Sequence, residues 1–305
     1  MVETALREAI YCPLQGNAVL RVDGADARAF LQSQLSNDVT QVTAAQSQLT
    51  SLNTAQGRTL ALLRLFEFDD ALHVSLPVEL ADPIALHLGK YILRSRVEIA
   101  AVPLAHAGIA GAAAETLLES AGVAPPSAID AASAAEGLVA IRVRSRTGIR
   151  HELFGAADKL ARIEARCSRA DANEWLRLDT LAGLPRLTRA TSGEFIPQML
   201  GLDELGAINY RKGCYPGQEV IARVHYRGQV KRKLRMLRAA GVAAPGTAVY
   251  SDNGEGGGMI LQSARDGDGV LLLAVAPAEW GEGSFVHLQT PDGPPAQLAP
   301  AVPLR

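Results

Sequence analysis

The sequence has few cysteines and few aromatic residues, and each shortage excludes a kind of structure. Its three cysteines, Cys12, Cys167 and Cys214, are far apart and odd in number, which argues against a disulfide framework and indicates a reducing compartment. There is no CxxC motif and no Cys/His pair at ligand spacing, so we expect no metal site. Aromatic residues are only 5% of the chain, which predicts a core that is mostly small and aliphatic.

The sequence also lacks an excess of charge and any long apolar run. The 305 residues include 30 basic and 32 acidic ones, so the formal net charge is −2. This balance excludes a globally basic nucleic-acid-binding protein and leaves room only for a local basic patch. No segment approaches the roughly 18 apolar residues of a transmembrane helix, and the N-terminus has no apolar signal region. We therefore expect a cytoplasmic protein without a membrane partner.

The first 170 residues alternate strand and helix patterns, which predicts an α+β arrangement. The order strand, helix, three strands, helix and strand is predicted for residues 18–22, 26–35, 49–53, 59–66, 71–76, 84–93 and 97–102. A similar order follows, with strands at 106–111, 138–144 and 149–154, helices at 112–121 and 156–167, and a loop at 122–136. Two ferredoxin-like units are predicted, although periodicity alone does not establish a duplication.

The remainder of the chain changes character twice. Residues 171–181 form a short amphipathic helix, and residues 183–217 are polar and glycine-rich without periodicity, as functional segments often are. Short strands separated by Gly, Asp and Pro then follow at 234–237, 247–250, 258–262, 270–275 and 285–289. This pattern predicts a small all-β domain, either a barrel or a sandwich.

Residues 211–219, with the sequence RKGCYPGQE, hold the densest set of reactive side chains. Cys214 lies among glycines and a proline that favour a turn, and the cations of Arg211 and Lys212 would favour its thiolate form. The alternative is a tight turn that packs the thiol as a small apolar group. From these residues alone, the alternative is the more common case.

A run without acidic residues, 220–238, directly follows the cysteine segment. It contains His225 and Tyr226 and seven cations: Arg223, Arg227, Lys231, Arg232, Lys233, Arg235 and Arg238. Such a run binds phosphates or carboxylates in some proteins and is the solvated face of a strand in others. Asp179, near the end of the predicted helix 171–181, is by default a surface residue, since acids are less favourable there.

Further motifs extend the pattern around the cysteine segment. They are GLP at 183–185, GEFIPQ at 193–198, KGCYPGQE at 212–219, the pairs Ala222-Arg223 and Arg227-Gly228, LQSQLSNDV at 31–39 and Gly57-Arg58. Together these motifs resemble the YgfZ family of folate-binding proteins, which is related to the aminomethyltransferase (T-protein) of the glycine cleavage system. The K-G-C-x-x-G-Q-E element is the family signature, and the resemblance extends over roughly residues 17–290.

The resemblance implies an aminomethyltransferase-like folate-binding fold, with two ferredoxin-like α/β domains and a C-terminal β-barrel around a central opening. It divides the chain into an N-terminal folate-binding region (1–103 with 171–230), a middle ferredoxin-like domain (104–170) and the barrel (231–305). It also implies tetrahydrofolate or a folate derivative as the cofactor. The implied partners are iron–sulfur client or assembly proteins, including enzymes that modify tRNA.

The resemblance also assigns site residues. Arg177-Leu178-Asp179 aligns with an R-L-E element whose Glu binds the pterin in T-proteins, so Asp179 is expected to accept hydrogen bonds from two pterin N–H groups. The folate tail ends in carboxylates, which suit Arg223 or Arg227. The expected folate-binding residues are Asp179, Gln218, Glu219, Arg223 and Arg227, and the expected thiol chemistry involves Cys214 and Lys212.

One departure from the T-protein pattern changes the expected activity. T-proteins carry an acidic pair shortly after the turn that corresponds to Gly57-Arg58, and one of these acids is catalytic. The corresponding positions in this sequence are Ala61 and Leu62. We therefore expect that the chain is not a glycine-cleavage aminomethyltransferase.

Three hypotheses for the function remain. The leading one is a tetrahydrofolate-binding accessory factor for the assembly or repair of iron–sulfur proteins, acting through Cys214. The second is a folate-dependent one-carbon transferase or demethylase in which Cys214 is the nucleophile. The third is a tRNA-binding module that uses the run 220–238, and the near-neutral charge and scarce aromatic residues favour it least.

Overall fold

The computed structural model describes residues 9–300, which form two compact units. The first unit contains the residues up to Thr50 together with Leu63–Trp175, and the second contains Ser51–Leu62 together with the residues from Leu176 onward. The family resemblance implies three domains, and that division stays a prediction. Residues 1–8, which carry most of the segment used to predict that no signal region is present, lie outside the described residues.

The first sheet is built from strands and helices that follow one another along the chain in the order that the sequence predicts. Its elements are β2 (Asn17–Asp23), α1 (Ala27–Gln34), β3 (Gln48–Asn53), β4 (Thr59–Phe68), β5 (Ala71–Pro77), α2 (Val78–Gly89) and β6 (Glu98–Val102). The strands are ordered β3-β4-β5-β2-β6. Helix α1 buries Ala27, Phe30, Leu31 and Gln34, which lie on one side of the helix because they are three and four residues apart.

The second sheet repeats this order and adds a strand from near the start of the chain. Its elements are β1 (Ile10–Pro13), β7 (Ala105–Ala110), α3 (Ala114–Ser120), β8 (Ala132–Ala135), β9 (Leu138–Arg142), β10 (Arg150–Gly155), α4 (Ala157–Glu164) and β11 (Ser168–Arg169). The strands are ordered β11-β1-β7-β10-β9-β8. Strand β1 is antiparallel to β7 and parallel to β11, so it separates the first and last strands of this ferredoxin-like unit.

Two of the predicted elements in this part of the chain were wrong. Helix α2 begins at Val78 and ends at Gly89, whereas the predicted helix was 84–93. Proline is unfavourable inside a helix, so Pro83 favours a helix that starts after it. Burial of Leu80 and Ile84 instead stabilises a helix that extends on both sides of the proline. The predicted loop 122–136 contains β8, whose Ala- and Ser-rich sequence has little intrinsic strand preference.

The second unit contains two helices and a closed barrel. Helix α5 (Ala172–Leu181) enters it from the first unit, and a 3₁₀ helix (Pro197–Leu200) and α6 (Gln218–Arg227) follow. The barrel has the strands β12 (Arg232–Ala239), β13 (Ala248–Ser251), β14 (Gly256–Asp266), β15 (Gly269–Pro277), β16 (Phe285–Leu288) and β17 (Pro295–Leu298). It closes in the order β12-β15-β14-β13-β16-β17, which decides between barrel and sandwich.

The barrel has one strand more than the five predicted from the sequence. Strand β17 was missed because its four residues, PAQL, begin with a proline and carry little apolar pattern. Strand β15 is buried on both faces, which explains its continuous apolar sequence. Leu272 packs in the barrel core with Leu237, while Leu273 packs on the other side with Met236.

Within residues 9–300, no helix has both the length and the apolar composition needed to cross a membrane.

A buried arginine connects the two sheets of the first unit. Arg64 on β4 forms ion pairs with Asp130 and with Glu152 on β10, whose Oε2 lies 3.4 Å from the Arg64 Nε. Beside it, Phe66 of β4 stacks on Phe154 of β10 with their ring centres 4.4 Å apart. Since only 6% of the Arg64 side chain is exposed, the two carboxylates compensate a charge that would otherwise be buried alone.

We predict that Arg64→Ala lowers the free energy of unfolding of the first unit by about 3–5 kcal/mol, because two largely buried carboxylates lose their cation. Urea unfolding followed by circular dichroism measures the change. Arg96→Ala is the control: Arg96 also pairs with an acid, Asp26, but its side chain is 77% exposed. This control should leave the transition nearly unchanged, and equal losses in both variants would contradict the proposed role of burial.

Candidate functional site

The cysteine loop, residues 209–217, is ordered by hydrogen bonds from Asn209 at its start and from Gln218 just after its end. Asn209 Oδ1 accepts hydrogen bonds from the backbone N–H groups of Arg211 at 2.8 Å and Lys212 at 3.1 Å. Gln218 Nε2 donates to the Lys212 carbonyl oxygen at 3.4 Å, and the Gln218 backbone N–H donates to the Tyr215 carbonyl at 3.2 Å. The loop is therefore tied at its start by an Asx turn and at its end by the first residue of α6.

The three cysteines differ in their access to solvent. None of the three forms a disulfide; Cys12 is buried, Cys167 is partly buried and Cys214 is exposed. Burial raises the pKa of the Cys167 thiol, which disfavours its reactive thiolate form. The thiol of Cys214 is thus the one that a large reagent or a partner protein reaches directly, which argues against the alternative of a thiol packed as an apolar group.

Tyr215 anchors the loop beside this thiol. Its ring is buried, and the Lys212 Nζ lies 5.3 Å from the ring centre, within the range of a cation–π interaction. The Tyr215 hydroxyl has no hydrogen-bond partner among the described residues. Burial raises the pKa of Tyr215 to about 12, so the side chain is a neutral anchor at physiological pH. Lys212, a predicted site residue, therefore packs within the loop.

Gly217 allows the loop to approach the turn between β3 and β4. Its φ is +80°, and a Cβ at this position would lie 2.5 Å from the Thr54 carbonyl oxygen and 2.6 Å from the Gly57 Cα. Gly57 has φ +75° within that turn, where its N–H donates to the Thr54 carbonyl at 2.9 Å. The close approach of the two backbones therefore requires glycine at 217, and the positive φ favours glycine at 57. The signature glycine and the distant Gly57-Arg58 motif are therefore parts of one structure.

The same turn orders part of the irregular segment 183–217. The Thr59 N–H donates to the Phe195 carbonyl at 2.7 Å, and the Gly193 N–H donates to the Thr59 carbonyl at 2.8 Å. Arg58 Nη1 donates to the Glu194 carbonyl at 2.5 Å. The GEF sequence at 193–195 thus pairs with the first residue of β4 and with the turn before it, although it contains no strand.

Helix α6 corrects one interpretation of the basic run 220–238. The part up to Arg227 is helical, not the solvated strand face considered from the sequence, and Ile221 is its one fully buried side chain. Glu219 is in the first turn, where an acid suits the helix dipole. Arg223 and Arg227 are exposed. The sequence missed this helix because a single buried residue leaves no apolar stripe to recognise.

Two residues outside the predicted site hold α6 in place. Gln198 of the 3₁₀ helix is buried and donates its Nε2 hydrogen to the Ile221 carbonyl at 2.7 Å. The ring of Tyr210 stacks on His225 with centres 3.8 Å apart and planes 17° apart. Neither contact follows a sequence periodicity, but Gln198 lies in the GEFIPQ motif, which was the available signal.

Asp179 comes from a separate element, helix α5, of the same unit and is partly buried. The turn that follows it is held by Gln262 of strand β14. Gln262 Nε2 donates to Thr180 Oγ1 at 3.0 Å, and its Oε1 accepts from the Arg186 N–H at 2.6 Å. The other predicted residues, Lys212, Cys214, Gln218, Glu219, Arg223 and Arg227, are grouped on the cysteine loop and α6. Within residues 9–300, no cluster of three His, Cys, Asp or Glu residues has metal-binding geometry.

Known proteins resemble this chain both in sequence and in fold. No family model matches the chain. The chain is 34% identical over 270 residues to the tRNA-modifying protein YgfZ of Klebsiella pneumoniae (strain 342), covering 85% of this chain and 82% of the relative. The chain belongs to the YgfZ family. A second YgfZ, from Edwardsiella ictaluri (strain 93-146), is 32% identical over 285 residues, covering 88% of this chain and 85% of the relative.

The fold of this YgfZ-family chain is that of an aminomethyltransferase. The crystal structure of glycine cleavage system aminomethyltransferase T from Bartonella henselae matches with a TM-score of 0.79, over 99% of this chain and 87% of that one. The sequence identity is only 17%, so this match shows the fold alone. The predicted family and the α+β fold class with its C-terminal barrel are confirmed.

We predict that Gly217→Ala destabilises the cysteine loop, because alanine resists a φ of +80° and its Cβ meets the Thr54 carbonyl oxygen. The expected result is a lower thermal midpoint and faster amide hydrogen exchange in residues 209–217. Gly213→Ala is the matched control, since a Cβ there has no heavy atom within 4 Å. If the two variants exchange alike, the glycine contact is not what orders the loop.

Proposed function

We propose that this YgfZ-family chain is a tetrahydrofolate-binding accessory factor for the assembly or repair of iron–sulfur proteins, including enzymes that modify tRNA. The observation that carries the proposal is the exposed Cys214 on a loop ordered by Asn209, Tyr215 and Gly217. The curated relatives bear the name tRNA-modifying protein, which supports a role in that process.

The proposed action of Cys214 is a contact made through a single thiol. One thiolate does not hold an iron–sulfur cluster in the usual four-cysteine manner, so any iron contact is shared with a client protein or with small thiols. An exposed thiol on an ordered loop suits such sharing, since the partner supplies the remaining ligands. Lys212 packs on the ring of Tyr215, the residue that follows Cys214 in the chain.

The donor set of the chain fits a folate. A pterin presents two neighbouring N–H donors, the 2-amino group and N3, and the Asp179 carboxylate has two oxygens to accept them. Partial burial of Asp179 would strengthen these hydrogen bonds. Its side chain is one methylene shorter than the Glu of T-proteins, so its carboxylate reaches less far. Arg223 and Arg227 form no ion pair among the described residues and suit the tail carboxylates. Gln218 and Glu219, in the first turn of α6, complete the proposed folate set.

The second candidate is a folate-dependent one-carbon transferase or demethylase with Cys214 as nucleophile. The fold shared with an aminomethyltransferase favours it. Against it, Ala61 is buried in β4 and Leu62 follows, so no carboxylate is available where T-proteins have their acidic pair. Transfer of a one-carbon unit to tetrahydrofolate by the purified protein would favour this candidate.

We predict that calorimetry under anaerobic conditions will detect tetrahydrofolate binding to the wild-type chain. Asp179→Asn should weaken it at least tenfold, which is about 1.4 kcal/mol, because an amide accepts one pterin hydrogen bond instead of two. Cys214→Ala should bind as the wild type does. Asp268→Asn, an exposed acid in the β14–β15 turn, is the control and should also bind normally. Unchanged binding in Asp179→Asn would refute the assigned pterin position.

We predict that Cys214→Ala fails to restore iron–sulfur enzyme activity in a strain that lacks this protein, with activity remaining close to that of the deletion. Cys167→Ala, which removes a partly buried thiol, should restore activity fully. Activities of a tRNA-modifying iron–sulfur enzyme, normalised to the amount of its protein, measure the effect. Full restoration by Cys214→Ala would rule out the thiol mechanism while leaving folate binding untouched.

A further inference from the structure

Helix α6 presents an aromatic side chain that the fold does not use. The ring of Tyr226 is 66% exposed, more than any other Phe, Tyr or Trp within residues 9–300. Exposed tyrosines of this degree gain little from packing in the folded chain. A large ring left in solvent beside cations is more typical of a binding surface than of a stabilising contact.

The position of Tyr226 is nevertheless well defined. Its ring meets His225 edge-on, with centres 4.7 Å apart and planes 81° apart, and His225 itself stacks on Tyr210. An edge contact holds the tyrosine ring while leaving its face available. The three rings therefore form a supported platform, in which the partly buried Tyr210 is the base and Tyr226 is the exposed member.

Exposed cations lie beside Tyr226 on α6 and follow the helix in the sequence, while one acid, the partly buried Asp203, interacts electrostatically with His225 and Tyr210. Residues 223, 226 and 227 share one side of α6, because residues three and four apart are neighbours on a helix. Arg223, Arg227, Lys231 and Arg232 are exposed and form no ion pair among the described residues. The chain has no acid from 220 to 238, so this surface carries a local positive charge that the overall charge of −2 conceals. We name Arg223, Tyr226, Arg227, Lys231 and Arg232 the α6 surface.

We propose that the α6 surface binds single-stranded nucleic acid, with Tyr226 stacking on a base and Arg227, Lys231 and Arg232 contacting phosphates. An exposed aromatic face combined with unpaired cations matches both parts of a nucleotide, whereas an acidic protein needs only the cations. Bases within an RNA duplex are stacked and inaccessible, so the strand must be unpaired. The choice of RNA over DNA rests on the proposed function in tRNA modification.

The surface continues from the proposed thiol site. Helix α6 begins four residues after Cys214, and at about 1.5 Å per residue Tyr226 lies about 12 Å along its axis from Gln218. Arg223 and Arg227 are also the residues proposed for the folate tail. Tail carboxylates and RNA phosphates are both anions, so both suit Arg223 and Arg227. Competition between tetrahydrofolate and RNA shows whether the two ligands share these residues.

Fluorescence anisotropy with the full chain and a labelled mixed-sequence RNA strand of about 12 nucleotides tests the proposal. Tyr226→Ala should weaken binding about tenfold, and Tyr226→Phe, which retains the ring, should restore it. Arg227→Gln and Lys231→Gln should each lower the slope of log affinity against log salt by about 0.7. Tyr91→Ala is the matched control, because Tyr91 is an exposed tyrosine that also contacts a histidine, His87, and it should change nothing.

Three results would overturn the proposal. One is an absence of binding to the RNA strand at low salt, and another is equal loss in Tyr226→Ala and Tyr91→Ala. The third is stronger binding to polyglutamate than to RNA, which would indicate an acidic protein partner. A DNA strand of the same sequence tests the choice of RNA, and saturating tetrahydrofolate tests the overlap at Arg223 and Arg227. None of these results affects the Asp179 and Cys214 measurements, so those measurements test the proposed function independently of RNA binding.

Discussion

The candidate site depends on one backbone contact, the approach of Gly217 to Gly57 and the Thr54 carbonyl. Both glycines have positive φ, and any side chain at Gly217 would collide with the turn between β3 and β4. This contact places the end of the cysteine loop and the first residue of α6 against a turn that also pairs with residues 193–195. The conformation of the cysteine loop is therefore determined by sterics and hydrogen bonds together with the burial of one ring, that of Tyr215.

Helix α6 is held in an unusual way for a helix of ten residues. Ile221 is its one buried side chain, and the helix is also held by a hydrogen bond from Gln198, by the stack of Tyr210 on His225 and by the hydrogen bonds of Gln218 to the cysteine loop. Most helices are stabilised by an apolar stripe. Because α6 relies on a few polar and aromatic contacts instead, most of its surface stays in solvent, and its cations and Tyr226 are available to ligands.

The fold was largely predictable from the sequence, and the missed elements have physical reasons. The alternation of strand and helix patterns predicted the ferredoxin-like units, and the short strand patterns between turns predicted the all-β domain. Strands β1 and β11 have too few residues for a periodic pattern, and their pairing depends on tertiary contact. The motif around Cys214 located the loop, whereas the contact between Gly57 and Gly217 joins residues too distant for any local pattern. The roles of Asp179, Arg223 and Arg227 depend on ligands, which no pattern in one sequence determines.

The contact between Gly57 and Gly217 also affects the order in which the chain matures. The turn is synthesised about 160 residues before the glycine that completes it, and residues 63–175 of the first unit emerge in between. Closing so long a segment costs chain entropy before any contact repays it. On the ribosome, the first unit therefore has all its residues available while the turn still lacks its partner. The cysteine loop therefore becomes ordered only after the first unit has emerged, and ahead of the barrel, whose strands lie within residues 232–298.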